Sequence, residues 1–278
     1  MDMHPEIPEG INVSKTHPLA DFGLMLAGAL GIIILVFIAA HLLASVMVRF
    51  VSFETETKIF DQSPLVGLVA ATDSQSEKAI YLQSLADQLS ANMSLPEDIS
   101  VRVHYSAEDI PNAFATLGGH IVIYQGLIDE VSSENGLAMV IAHEVAHIKH
   151  RDPIMALGRG TVSMIGLLAI TGFSDSSVVG NIAGTAGLGV LSNYSRKQEK
   201  RADREAVAAL RATYGTLAGA DEFFIAVSED HQHSELDFFA THPPTQDRID
   251  RIQAESNKAQ SGETSLTPLP EFLTTKDD

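Results

Sequence analysis

The stretch VIAHEVAHIKH, residues 140–150, sets three histidines and one glutamate in an apolar run. Residues 134–151 contain no proline, and their apolar positions run round most of a helical circumference, so the segment reads as a buried helix. His143 and His147 are four apart and project from one face on successive turns, as a shared metal requires. His150 lies near the same face, but seven residues rise about 10 Å, whereas Zn–N bonds are about 2.0–2.1 Å. It is therefore set aside as a cation near the last carbonyls of the helix. Glu144 is turned off the metal's face but within reach of a water beside it. His143-Glu144-x-x-His147 is thus a pattern in which two histidines bind zinc and a glutamate acts as general base.

Such a site needs a third protein ligand. A glycine three residues after the second histidine, with another histidine three further on, is one arrangement, but His150 and Pro153 occupy those positions. The other arrangement is a downstream carboxylate on a second helix. YSRKQEKRADREAVAAL, residues 194–210, is rich in helix formers. Glu199 and Asp203 share a face there with Ala202, Ala206 and Leu210, while Glu205 is expected to face solvent. Glu199 is placed to be the third ligand. Asp203 can accept the second ring N–H of a zinc-binding histidine and fix its tautomer.

HEVAH, SRKQEKRAD about fifty residues later, and THPPTQDRI together resemble the M48 family of zinc metallopeptidases, which includes CAAX-processing and HtpX-type proteases. NAFATLGGHIVIYQGLI, residues 112–128, fits as well, and the likeness spans roughly residues 60–255. The resemblance implies an endopeptidase with one zinc held by His143, His147 and Glu199, and with Glu144 as base. It implies that Asn112, Ala113, Phe114 and Ala115 form a cleft edge on which an extended substrate adds a strand. His242 would face the cleft, either donating to an oxyanion or closing the zinc site as a fourth ligand. A structural histidine at a helix start is the alternative. Arg248 would tie the following helix to an active-site carboxylate, with a plain surface arginine as the alternative. Zinc would lower the pKa of a water and polarise the scissile carbonyl, and Glu144 would carry the proton to the leaving amine. Two other functions stay open: a non-catalytic adaptor or chaperone on the same fold, and a zinc hydrolase with a non-peptide substrate.

These side chains must be positioned by a chain of 278 residues with no cysteine. The net charge of −18 argues against nucleic acid as a partner. HIVIY is β-branched and reads as a strand, Gly118–Gly119 as a turn, and NAFAT as its hairpin partner. SQSEKAIYLQSLADQLSANM reads as an amphipathic helix with Ile80, Leu82, Leu85 and Leu89 inward. The fold class is α+β, a mainly helical zincin-like metallopeptidase domain with a small sheet. Residues 22–48 carry no charge and are long enough to cross a hydrocarbon core of about 30 Å, and the acidic segment before them is unlike a signal peptide. The expected organisation is an N-terminal tail (1–21), a transmembrane anchor (22–48), a metallopeptidase domain (49–256) and a flexible C-terminal tail (257–278). Residues 50–73 read as strand or loop. Residues 160–195 carry only Asp175 as a charge and read as a buried helical hairpin, with a pair dipping into the bilayer as the alternative. His231 and His233 read as loop residues at a cleft rim. The expected partners are protein or peptide substrates, misfolded or membrane-associated, and membrane lipid. Basic residues flank the apolar span almost equally, and a short tail ahead of it permits translocation of the domain behind it. The expectation is a single-pass cell-membrane protein with its catalytic domain in the periplasm.

Overall fold

The structure is a computed structural model and describes residues 18–171, 194–229, 242, 246–259 and 266–275. Contacts divide the chain into two units, residues 1–43 and 44–278. The whole described part of the first unit, residues 18–43, lies in α1 (Pro18–Met47), a helix of 30 residues without a buried side chain. It starts four residues before the expected span, because proline is favoured in a first helical turn, where its missing N–H would be unpaired anyway. At about 45 Å it is the one described helix long and apolar enough to cross a membrane.

The second unit is built round α6 (Glu134–Lys149), in which every residue from Asn135 to Ile148 is buried. Ser133 caps it by accepting from the Gly136 amide. On one side α6 meets α4 (Glu77–Asn92) and a three-stranded sheet; on the other it packs along α8 (Arg196–Tyr214). The sheet order is β1 (Arg102–Ser106), β3 (His120–Tyr124), β2 (Ala113–Thr116). β1 runs parallel to β3, and β2 antiparallel to it, pairing Ala115 with Ile121. Gly118 and Gly119 make the β2–β3 turn with φ of 71° and 79°, and a side chain at Gly119 would meet the Ser100 carbonyl at 2.0 Å. β2 is left as the outer strand, facing α6.

Several expectations are corrected. Residues 50–73 hold two helices, α2 (Phe53–Asp61) and α3 (Val66–Ala70). Ser52 caps α2, and its inward face is Phe53, Glu56 and Phe60. Leu82, Leu85 and Leu89 are buried in α4, but Ile80 is 60% exposed, because the inward stripe runs through Ala79, Leu82, Leu85, Ala86 and Leu89. The tail is packed at residues 266–275. Leu273, in the short α11 (Glu271–Thr274), is fully buried, and the Lys78 ammonium donates to the Thr275 carbonyl at 2.6 Å. The first part of the apolar region lies in α7 (Asp152–Thr171). The rest of the expected hairpin, His231, His233 and residues 260–265 lie outside the described residues. Two further helices, α9 (Glu222–Glu229) and α10 (Gln246–Ala259), close the unit.

Candidate metal centre

α6 presents His143, Glu144 and His147 on its inner surface, all fully buried. α8 begins with a capping box between Ser195 and Gln198, which sets Glu199 one turn in and Asp203 two turns in. Packing α8 along α6 brings the two sets together. His143 Nε2 and His147 Nε2 are 3.1 Å apart, and each lies 3.4 Å from an oxygen of Glu199. His242 completes the group: its Nδ1 is 3.3 Å from His143 Nε2 and 3.1 Å from Glu199 Oε1. One ligand atom from each of His143, His147, Glu199 and His242 fits within a spread of 4.8 Å.

The donor chemistry fits a cation. His143 Nδ1 is 3.1 Å from Asp203 Oδ1, and His147 Nδ1 is 2.9 Å from Asp152 Oδ2. Asp152 is hydrogen-bonded to His147 Nδ1 and Asp203 is ion-paired with His143 Nδ1, so both Nε2 atoms are left facing each other and Glu199. Only a shared proton or a metal ion relieves that arrangement. Ligand atoms at the corners of a tetrahedron with metal bonds of about 2.0–2.1 Å stand roughly 3.4 Å apart, close to the separations found. Three nitrogens and one carboxylate oxygen suit zinc.

Proton affinities carry the same message. Burial would raise the Glu199 pKa, but His242, His143 and His147 overcome it and hold the carboxyl far below the usual range. Burial pulls His147 down, yet Asp152 and Glu199 outweigh it and hold its pKa up to about 9. His143 is raised likewise, by Asp203 and Glu199 against its burial. His242, with burial dominant, is lowered. Four carboxylates round two imidazoles make a pocket that attracts positive charge, and protons compete with metal for it.

Arg248, on α10, bridges Glu199 at 2.8 Å and Asp203 at 2.8 Å. Glu144 Oε2 accepts from the Ala115 amide at 2.7 Å, and its Oε1 lies 3.3 Å from His242 Nε2. Ala113 and Ala115 turn their backbone polar groups away from β3, whereas Asn112 precedes the strand and accepts from the Tyr124 amide. Glu205 is half-buried rather than turned fully to solvent: it pairs with Lys149 at 2.8 Å and with His150, tying the C-terminal end of α6 to the middle of α8.

Two residues escaped the sequence reading. Asp152 orients His147 and is itself held by Gln198 at 2.6 Å and Arg201 at 2.7 Å. Its signal was the need for a second acceptor, since two histidines were named and only one partner carboxylate. Tyr194 stacks on His147 at 4.0 Å and brings its hydroxyl 3.5 Å from the Ala115 carbonyl; an isolated tyrosine before a helix carries no comparable signal.

Residues 76–256 match the family model described as Peptidase family M48. Similar proteins include a Protease HtpX homolog of Salinibacter ruber, 27% identical over 72% of this chain and 83% of that protein. Metalloprotease LoiP of Escherichia coli is 29% identical over 64% of this chain and 70% of its own length. Mitochondrial metalloendopeptidase OMA1 of Schizosaccharomyces pombe is 29% identical over 59% of this chain, which spans 49% of that relative.

Proposed function

The chain belongs to peptidase family M48 and is a metalloendopeptidase, and from that premise we propose that it uses one zinc ion to cut exposed segments of misfolded or membrane-associated proteins in quality control. His143, His147 and Glu199 would hold the ion, which when bound supplies a Lewis acid for the scissile carbonyl and an acidified water. The observation that carries this reading is the meeting of four buried donors at 3.1–3.4 Å, with both Nδ1 atoms already committed to carboxylates. Asp152 and Asp203 fix the tautomers, and Arg248 holds Glu199 and Asp203 in place.

Glu144 takes the proton of the attacking water and passes it to the leaving amine. In the described conformation one of its oxygens is engaged by the Ala115 amide. An extended substrate entering along β2 would compete for that amide and for the Ala115 carbonyl, using main-chain bonds that tolerate many sequences. His242 presents Nδ1 to the donor group, which favours its reading as a fourth ligand over that of an oxyanion donor. As a fourth ligand His242 would occupy the place that a water and a carbonyl need, so it would have to leave the donor group before catalysis.

α1 anchors the protein in a membrane on this reading, with the catalytic unit outside the cytoplasm. The experiment is degradation of unfolded casein by the full-length protein and its Glu144→Gln variant. Loss of the general base should lower kcat/KM by at least 1,000-fold, about 4 kcal/mol, with bound zinc retained. Equal rates in the two proteins would remove Glu144 from the chemistry.

A further inference from the structure

The chain carries 36 acidic and 18 basic residues, yet one face of α8 is uniformly basic. Arg196, Lys200 and Arg204 follow one another at four-residue spacing, and Lys197 lies beside them. Rows of like charge at this spacing destabilise a helix, and the sequence has acids to spare for breaking them up. Elsewhere on α8 it does so: Arg201 is paired with Asp152 and Arg211 faces Glu255. Arg196, Lys197, Lys200 and Arg204 are exposed and make no ion pair with another described residue. All four, with Arg251 of α10, line one concavity of about 410 Å³.

This basic concavity adjoins the metal centre. A neighbouring hollow shares Arg196, Lys200 and Arg251 with it and is also lined by Glu199, Arg248, Tyr194 and Asp247. The positive rim therefore leads to the carboxylate that would hold the metal. Arg196, Lys200 and Arg251 line both hollows, although Arg251 is also paired with Asp203 at 3.4 Å.

We propose that Arg196, Lys197, Lys200, Arg204 and Arg251 form a subsite that binds acidic stretches of polypeptide flanking the bond to be cut. The inference rests on the peptidase reading and adds a substrate class to it. Charge complementarity selects the occupant: the chain as a whole is strongly negative, and among the described residues this face gathers five cations to which an acidic chain is drawn. The backbone edge of β2 accepts many sequences, and the rim supplies a preference that the edge does not.

The test uses the full-length Glu144→Gln protein in phosphatidylcholine nanodiscs. Fluorescent 12-residue peptides carrying four glutamates, four glutamines or four lysines at matched positions are titrated by anisotropy. The glutamate peptide should bind at least ten-fold tighter than the glutamine peptide in low salt, and the gap should narrow as salt screens it. The Arg196→Glu/Lys200→Glu/Arg204→Glu variant should bind the two alike or reverse the order; a milder triple-glutamine variant, with folding checked by circular dichroism, should abolish the gap. Equal affinities in the unmodified rim, or a preference that both variants retain, overturns the subsite while casein cleavage by the wild type leaves the peptidase reading standing. A wild type that neither binds nor cleaves any peptide sinks both. Lys197 and Lys200 should be acylated equally fast in phosphatidylcholine and phosphatidylglycerol discs. Protection in phosphatidylglycerol discs without a peptide preference assigns the rim to anionic headgroups and also overturns the proposal.

Discussion

At the scale of single residues, the proposed metal-holding set follows from what each imidazole needs. A histidine that offers Nε2 to a cation must place its Nδ1 proton somewhere. Asp203 meets that need for His143 and was legible, because it falls four residues after Glu199 on the same face. Asp152 meets it for His147 and was not. It sits just past the end of α6, where the chain turns through Arg151 at a φ of 58°, and no periodicity points to it. Asp152→Asn should weaken zinc binding by about 10–100-fold, read by competition with a chromophoric chelator. An unchanged zinc affinity would make Asp152 only a structural anchor for Arg201 and Gln198. His242 was recognisable as a candidate, but its choice between two jobs depended on which ring nitrogen faces the donors. That is a property of three-dimensional placement rather than of composition.

At the scale of elements, α6, α8 and the β2–β3 hairpin were readable because each carries a local signal: buried helical periodicity, a run of helix formers, and a glycine pair between β-branched segments. α2 was not. Glu56 occupies its inward face and breaks the apolar pattern that Phe53 and Phe60 begin. The reason for that glutamate is non-local. It accepts from the Gly118 amide at 3.1 Å in the hairpin turn and from Arg151 Nε at 2.6 Å. α2 thus clamps the turn that carries the edge strand and the turn that carries Asp152. Glu56→Gln should destabilise the protein by about 1–3 kcal/mol in chemical denaturation and weaken zinc binding with it. A stability loss with zinc affinity untouched would confine Glu56 to holding the fold. The docking of residues 266–275 was invisible for the same reason. Their composition is that of a loose tail, and the groups that hold them are far away in sequence: Lys78 and Gln125 donate to the carbonyls of Thr275 and Leu273, and the Glu134 amide donates to that of Thr267.

At the scale of the whole molecule, a second pair of histidines makes stability depend on pH. His104 Nε2 and His120 Nδ1 are 2.7 Å apart, and His120 stacks on Phe60 of α2. Burial, His104 and Arg102 pull the His120 pKa down to about 4. An unfolded histidine titrates near 6.5, so between these values the unfolded chain takes up the proton first. The contribution is whole above about pH 6.5 and is lost as the pH falls through about 4. His120→Gln should flatten the decline of Tm over that window, and parallel wild-type and variant curves would remove His120 as a cause. The larger claim is that two helices, fifty residues apart in the chain, converge so that one carboxylate and two imidazoles hold one ion. Its most direct test is the zinc stoichiometry and affinity of the wild type beside Glu199→Ala and Glu144→Gln. One zinc per chain in the wild type and in Glu144→Gln, with at least a 100-fold loss of affinity in Glu199→Ala, is the predicted result. Undiminished zinc binding by a folded Glu199→Ala protein would contradict it.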